Sequence, residues 1–161
     1  MDVAISIVVT FLLTLANGFF SASELAVVSA KRALLEPDAD NGDAKAQAAL
    51  DLSADSGQFL ATIQVAITLV GFASSAFAAT SLSGPLGRWF TSLGMPEGVA
   101  AGLAPVLITL LVSYLSIVVG ELVPKRIALS NSEGVAKAVA GTIRGFMHVA
   151  RPLVWVTSRS A

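Results

Sequence analysis

The chain has 161 residues, 55% of them hydrophobic and only 13% charged, with a mean hydropathy of +0.78. One soluble domain of this size does not bury so much apolar surface, so a membrane protein is expected. A net charge of −1 with scattered basic residues excludes a nucleic-acid footprint, and the lack of cysteine excludes disulfide frameworks and thiolate metal sites.

Val3–Ser23 is free of charge and long enough to cross the hydrocarbon core, which takes about 20 helical residues. Acidic Asp2 precedes it where a cleavable signal peptide would carry a basic region, so it reads as a first transmembrane helix. Asn17 and Ser21 stand at i and i+4 on one face, with Glu24 three residues further on. The next segment, at about 31–55, is polar. It holds a Pro37–Asp38 turn, an Asn41–Gly42 pair and a short alanine-rich helical pattern, and it reads as a soluble cytoplasmic loop.

A second charge-free run, Ser56–Gly87, predicts the second span, and "SLSGPLG" (Ser81–Gly87) carries turn residues expected to end its helix. Gly71 and Ser75 are again i and i+4, with Thr68 before them and Ser74 beside them, among small residues that let backbones approach closely.

The third run, Gly98–Gly120, closes on "GELVPK". Pro124 has no N–H to donate, and its ring clashes with the carbonyl four residues earlier, that of Gly120. A freed carbonyl is therefore expected in an opened turn beside the Glu121 carboxylate. In lipid it must be met by protein, water or an ion.

After Glu133, Lys137, Arg144 and Arg151 recur every seven residues along one face of an amphipathic helix. That pattern, with Trp155 at headgroup level, suits a helix lying on the cytoplasmic membrane surface. Gly141 and Gly145 form one GxxxG spacing. Lys31, Arg32 and Lys45 follow the first span, and Lys125 and Arg126 follow the third, so the positive-inside rule places the N-terminus outside. The fold class expected is an all-α membrane protein: three transmembrane helices plus an amphipathic juxtamembrane helix. Residues 1–130 would form the three-span domain and 131–161 the juxtamembrane helix.

If the three polar faces converge, carboxylate, amide, hydroxyl and carbonyl oxygens meet with no nitrogen or sulfur ligand. Such a set suits hard cations such as Mg²⁺, Ca²⁺ or Na⁺. The plainer alternatives are that Ser and Asn join helices by hydrogen bonds, and that Glu121 marks the end of a span. There is no phosphate-binding glycine motif, and the single histidine, His148, has no nucleophile near it in sequence, so an enzyme is not expected.

Three stretches, "NGFFSASELAVVSAKRALLE", "FLATIQVAITLVGFASS" and "LSIVVGELVPKRIALSN", resemble in order and spacing the transmembrane domain of bacterial CorC and animal CNNM magnesium transporters. The resemblance implies a homodimer in the cell (inner) membrane, each protomer holding a dehydrated Mg²⁺ in an inward-facing cavity. Carried over to this chain, it points to Ser21, Ser75, the Gly120 carbonyl, Glu121 and Asn17 as ligands. One relative pattern has asparagine where this chain has Gly71. It also implies Mg²⁺ export coupled to Na⁺ entry, and a following ATP-binding pair of CBS domains that this chain lacks, so an isolated membrane domain is expected. The rival expectation is a membrane anchor or scaffold that regulates a partner without moving ions.

Overall fold

The computed structural model describes residues 2–160, in which all regular structure is helical. In chain order it has α1 (Val3–Ser29), α2 (Arg32–Asp40), α3 (Ala44–Ala54), α4 (Ser56–Ser92), α5 (Glu97–Ile117), a π-helical segment (Val118–Leu122), α6 (Val123–Ser130) and α7 (Ser132–Ser160). Three units are long and apolar enough to cross a membrane: α1, α4 and the continuous run from α5 through α6. Their outer faces leave Ile7, Phe11, Phe72, Leu110 and Tyr114 exposed, a lipid-facing belt that a water-soluble monomer does not tolerate.

Acidic caps start α3 and α4. Asp43 accepts from the backbone N–H groups of Lys45 and Ala46 at the start of α3, and Asp55 accepts from that of Gln58 at the start of α4. Both carboxylates also complement the positive end of a helix dipole.

Two expected breaks are absent. The Pro37–Asp38 pair lies inside α2, because the carbonyl freed by Pro37 belongs to exposed Ala33 and can be met by water. The chain reverses at Asn41–Gly42 instead, where Gly42 takes a φ of 93° that favours glycine. Likewise α4 runs straight through "SLSGPLG" with Pro85 inside it. Leu82 and Leu86, on either side of Pro85, pack against Ile108 and Val112 of α5, and the helix continues to Ser92 before the chain turns at Gly94, with φ 99°. Its 37 residues span about 55 Å, so α4 extends beyond a bilayer core of about 30 Å.

The principal core gathers at the end where α1 finishes and α4 begins. Ala26 and Val27 of α1, Leu35 of α2, Leu50 and Leu52 of α3, Phe59 and Ile63 of α4, and Ala136, Ala140 and Ile143 of α7 are buried together. A smaller cluster, Ala78, Ile108 and Val112, joins α4 to α5. The basic stripe of α7 turns toward the acidic α2–α3 hairpin: Lys137 lies 3.0 Å from Asp38 and 2.8 Å from Asp43, and Arg144 lies 3.6 Å from Asp51. Opposite charge on a neighbouring helix thus engages two of the three residues expected at the membrane surface. Gly141 and Gly145 face open space, so their spacing packs nothing within this chain.

Candidate cation site

The site is built around the joint between α5 and α6. At Val118–Leu122 the helix does not break; it widens, and the Val123 N–H bonds to the carbonyl of Val118, five residues back. An α-helix would bond four residues back. Pro124 explains the widening, since it offers Gly120 no N–H and its ring needs room where the Gly120 carbonyl would stand. The opened turn expected from the sequence is therefore a π-turn inside a continuous helix.

The freed carbonyl is met from α1. Asn17 donates Nδ2–H to the Gly120 oxygen across 3.2 Å in a buried setting. Two glycines allow the helices to come this close. A Cβ at Gly120 would lie 3.2 Å from Asn17 Nδ2 and 3.3 Å from the Thr14 carbonyl; one at Gly18 would lie 2.9 Å from Pro124 Cγ and 3.3 Å from the Val119 carbonyl.

Since Nδ2 faces Gly120, the amide oxygen of Asn17 points away as a pure acceptor. Asn17 Oδ1 is buried with no hydrogen-bond partner, and so is Ser21 Oγ, one turn further along the same face of α1. A third buried and unpartnered oxygen, Ser74 Oγ, belongs to α4, which packs along α1. Each unsatisfied buried polar group costs about 1–3 kcal/mol, so each of the three oxygens is open to a partner, water or an ion, beyond the described side chains. By contrast, Ser6, Thr10, Thr14 and Ser23 of α1 each donate to the carbonyl four residues back.

Glu121 is half-buried in the π-turn, between apolar Val119 and Leu122, and no ion pair among the described residues includes it. Ser75 is half-buried, whereas its neighbour Ser74 is the residue turned fully inward. Thr68 is exposed and accepts from Gln64, and Glu24 is half-buried. Gly71 borders open space, so the asparagine of the related pattern would have room there. Among the described residues no three His, Cys, Asp or Glu side chains gather into a metal site. The structure joins Asn17 to Gly120 directly; the remaining candidates carry neutral oxygens and one carboxylate, ligand types of a hard cation rather than of zinc or copper.

Comparison with known proteins places this architecture. The family model for CNNM, the cyclin M transmembrane N-terminal domain, matches residues 7–161. The chain belongs to the CNNM transmembrane-domain family. Among its CNNM-type relatives, the UPF0053 protein sll0260 of Synechocystis is 38% identical over 91% of this chain and 33% of its own length. A polyamine export protein of Salmonella typhimurium is 30% identical over 94% of the chain and 34% of its own length; one of Haemophilus influenzae is 28% identical over 96% and 36%. The chain thus spans about a third of the length of the curated relatives it matches.

Three contributors were not singled out as site residues from the sequence. Thr14 and Gly18 line the approach to Gly120, and Ser74 supplies the inward hydroxyl of α4. Helical spacing carried a signal for each. Thr14, Asn17, Gly18 and Ser21 share one face, and Ala66, Val70, Ser74 and Ala78 recur at intervals of four.

Proposed function

We propose that this CNNM domain carries a dehydrated cation across the membrane, with Mg²⁺ as the transported ion and export coupled to Na⁺ entry. Asn17 Oδ1, Ser21 Oγ, the second lone pair of the Gly120 carbonyl and the Glu121 carboxylate would ligate it, joined from α4 by the hydroxyl of Ser75 or of Ser74. The observation that carries this reading is the pair of buried, unpartnered oxygens on α1 beside a proline-opened turn with a carboxylate. With the N-terminus outside, the α7 end would face the cytoplasm of a homodimer in the cell membrane. In the longer protein, CBS domains would follow α7.

A second reading takes its support from the relatives named polyamine export proteins, whose cargo is an organic polycation. A carboxylate flanked by oxygens suits an ammonium group as well as a metal ion. The apolar cavity of about 530 Å³ between α1, α4 and α5, which Thr14 and Val119 line at the site's edge, would house methylene groups.

Thermal unfolding of the purified protein in detergent separates these readings. Mg²⁺ at 100 times its Kd should stabilise the protein by about 2.7 kcal/mol, and Glu121→Ala should abolish the effect. Stabilisation by spermidine in place of Mg²⁺ would select the second reading. Equal responses of wild type, Glu121→Ala and Ser21→Ala to every cation would leave only an anchoring role.

A further inference from the structure

A polar cavity of about 650 Å³ lies at the junction of α3, α4 and α7, away from the cation site. Arg144, His148 and Arg151 line it from one flank of α7, at i, i+4 and i+7. Asp51, Asp55 and Gln58 line it from the opposite side, and Trp155 stands at its edge.

Two guanidiniums, of Arg144 and Arg151, and two carboxylates, of Asp51 and Asp55, line this cavity, but only one ion pair forms between them. Asp51 is engaged by Arg144 at 3.6 Å, and Asp55 is committed to capping the N-terminus of α4. Both carboxylates thereby have positive partners. Arg151 has no ion-pair partner among the described residues, and Arg159 has only the Trp155 ring, 5.2 Å from its guanidinium carbon. The cavity therefore holds one guanidinium without an ion-pair partner, that of Arg151, with that of Arg159 beside its rim against Trp155, and guanidinium is the group whose fork geometry matches phosphate oxygens.

From this juxtaposition we infer that the α3–α4–α7 cavity is a phosphate-binding site. Arg151 and Arg144 hold the phosphate oxygens, the Gln58 amide donates from the α4 side, and Trp155 with Arg159 closes the rim. The level of the cavity favours a phospholipid headgroup as the source of the phosphate. Gln58 is in the first turn of an apolar spanning helix, and exposed Leu60, two residues on, begins its lipid-facing surface. Basic pockets at the membrane edge of helix bundles take anionic headgroups in this way.

Isothermal titration of the detergent-solubilised protein with dihexanoyl phosphatidylglycerol, and separately with inorganic phosphate, tests the site. Binding should weaken at least tenfold in R144Q/R151Q and stay unchanged in K45Q, whose exposed side chain lies outside the cavity and in no ion pair among the described residues. Asp51→Asn should tighten binding severalfold by releasing Arg144, a gain that misfolding cannot produce. Lipid binding with competition by phosphate would assign the headgroup; phosphate binding alone would assign a soluble phosphate ligand to the same residues. Absence of binding in both arms, or equal affinity across wild type, R144Q/R151Q and D51N, overturns the inference. Neither result bears on the cation site, which shares no residue with this cavity.

Discussion

Asn17 on α1 donates its amide hydrogen to the carbonyl of Gly120, 103 residues later, across 3.2 Å. That carbonyl is available because Pro124 withholds the N–H that would have claimed it. One hydrogen bond thus fixes the first span to the π-turn of the third and also sets the orientation of Asn17 Oδ1. Structural joint and proposed ligand are the same side chain.

Replacing Asn17 by alanine should therefore have two effects. The Gly120 carbonyl loses its partner in a dry setting, and stability should fall by about 1–3 kcal/mol. Cation-dependent stabilisation should also weaken. Asn17→Asp, which supplies no amide donor, should lose stability similarly, and thermal unfolding with and without Mg²⁺ reads both effects.

Gly18→Ala probes the packing that brings the helices together. Its Cβ would lie 2.9 Å from Pro124 Cγ and 3.3 Å from the Val119 carbonyl, so α1 or the π-turn must move. Destabilisation of about 1–3 kcal/mol is expected from overpacking. Gly71→Ala, with nothing within 4 Å, should be nearly silent in the same assay.

The unpartnered hydroxyls give a test of opposite sign. Ser21→Ala and Ser74→Ala each remove a buried oxygen that lacks a partner, so the ion-free protein should be as stable or more stable, by up to about 1 kcal/mol. The response to Mg²⁺ should nonetheless shrink. Ordinary helix-joining hydroxyls would instead show a loss of ion-free stability and an unaltered ion response.

Docking of α7 should depend on pH through its ion pairs. The Lys137 ammonium holds the Asp43 carboxyl below its ordinary value of 3.8, helped by the backbone N–H groups of Ala46 and Lys45. The Asp43 and Asp38 carboxylates hold Lys137 above its ordinary 10.5. A depressed acid stabilises the fold above its unfolded pKa and loses that contribution as pH falls through the folded value. A raised base stabilises below its unfolded pKa and loses it as pH rises through the folded value. Contact between α7 and the α2–α3 hairpin should thus be fully supported between about pH 4 and 10 and loosen on both sides of that range. Hydrogen exchange in α7 checks this, and K137M should remove the alkaline limb.

Much of this protein was legible in its sequence because hydrocarbon imposes simple rules. Charge-free runs of sufficient length had to become spans, and a proline after Gly-Glu had to free one identifiable carbonyl. The all-α class, the three spans and the position of the opened turn followed from backbone chemistry local to each segment. The same local cues misplaced two breaks, at Pro37 and at Ser81–Gly87, because Pro, Gly and Ser mark where a helix can end and not where it must: the carbonyl freed by Pro37 is exposed to water, and α4 is held through Pro85 by packing against α5. Only the tertiary structure decided that Asn17 meets Gly120, that Ser74 is the fully inward hydroxyl of α4 and that the basic stripe of α7 faces the acidic α2–α3 hairpin. These depend on how helices far apart in the chain rotate and settle against one another, and helical periodicity fixes which residues share a face without fixing what that face meets.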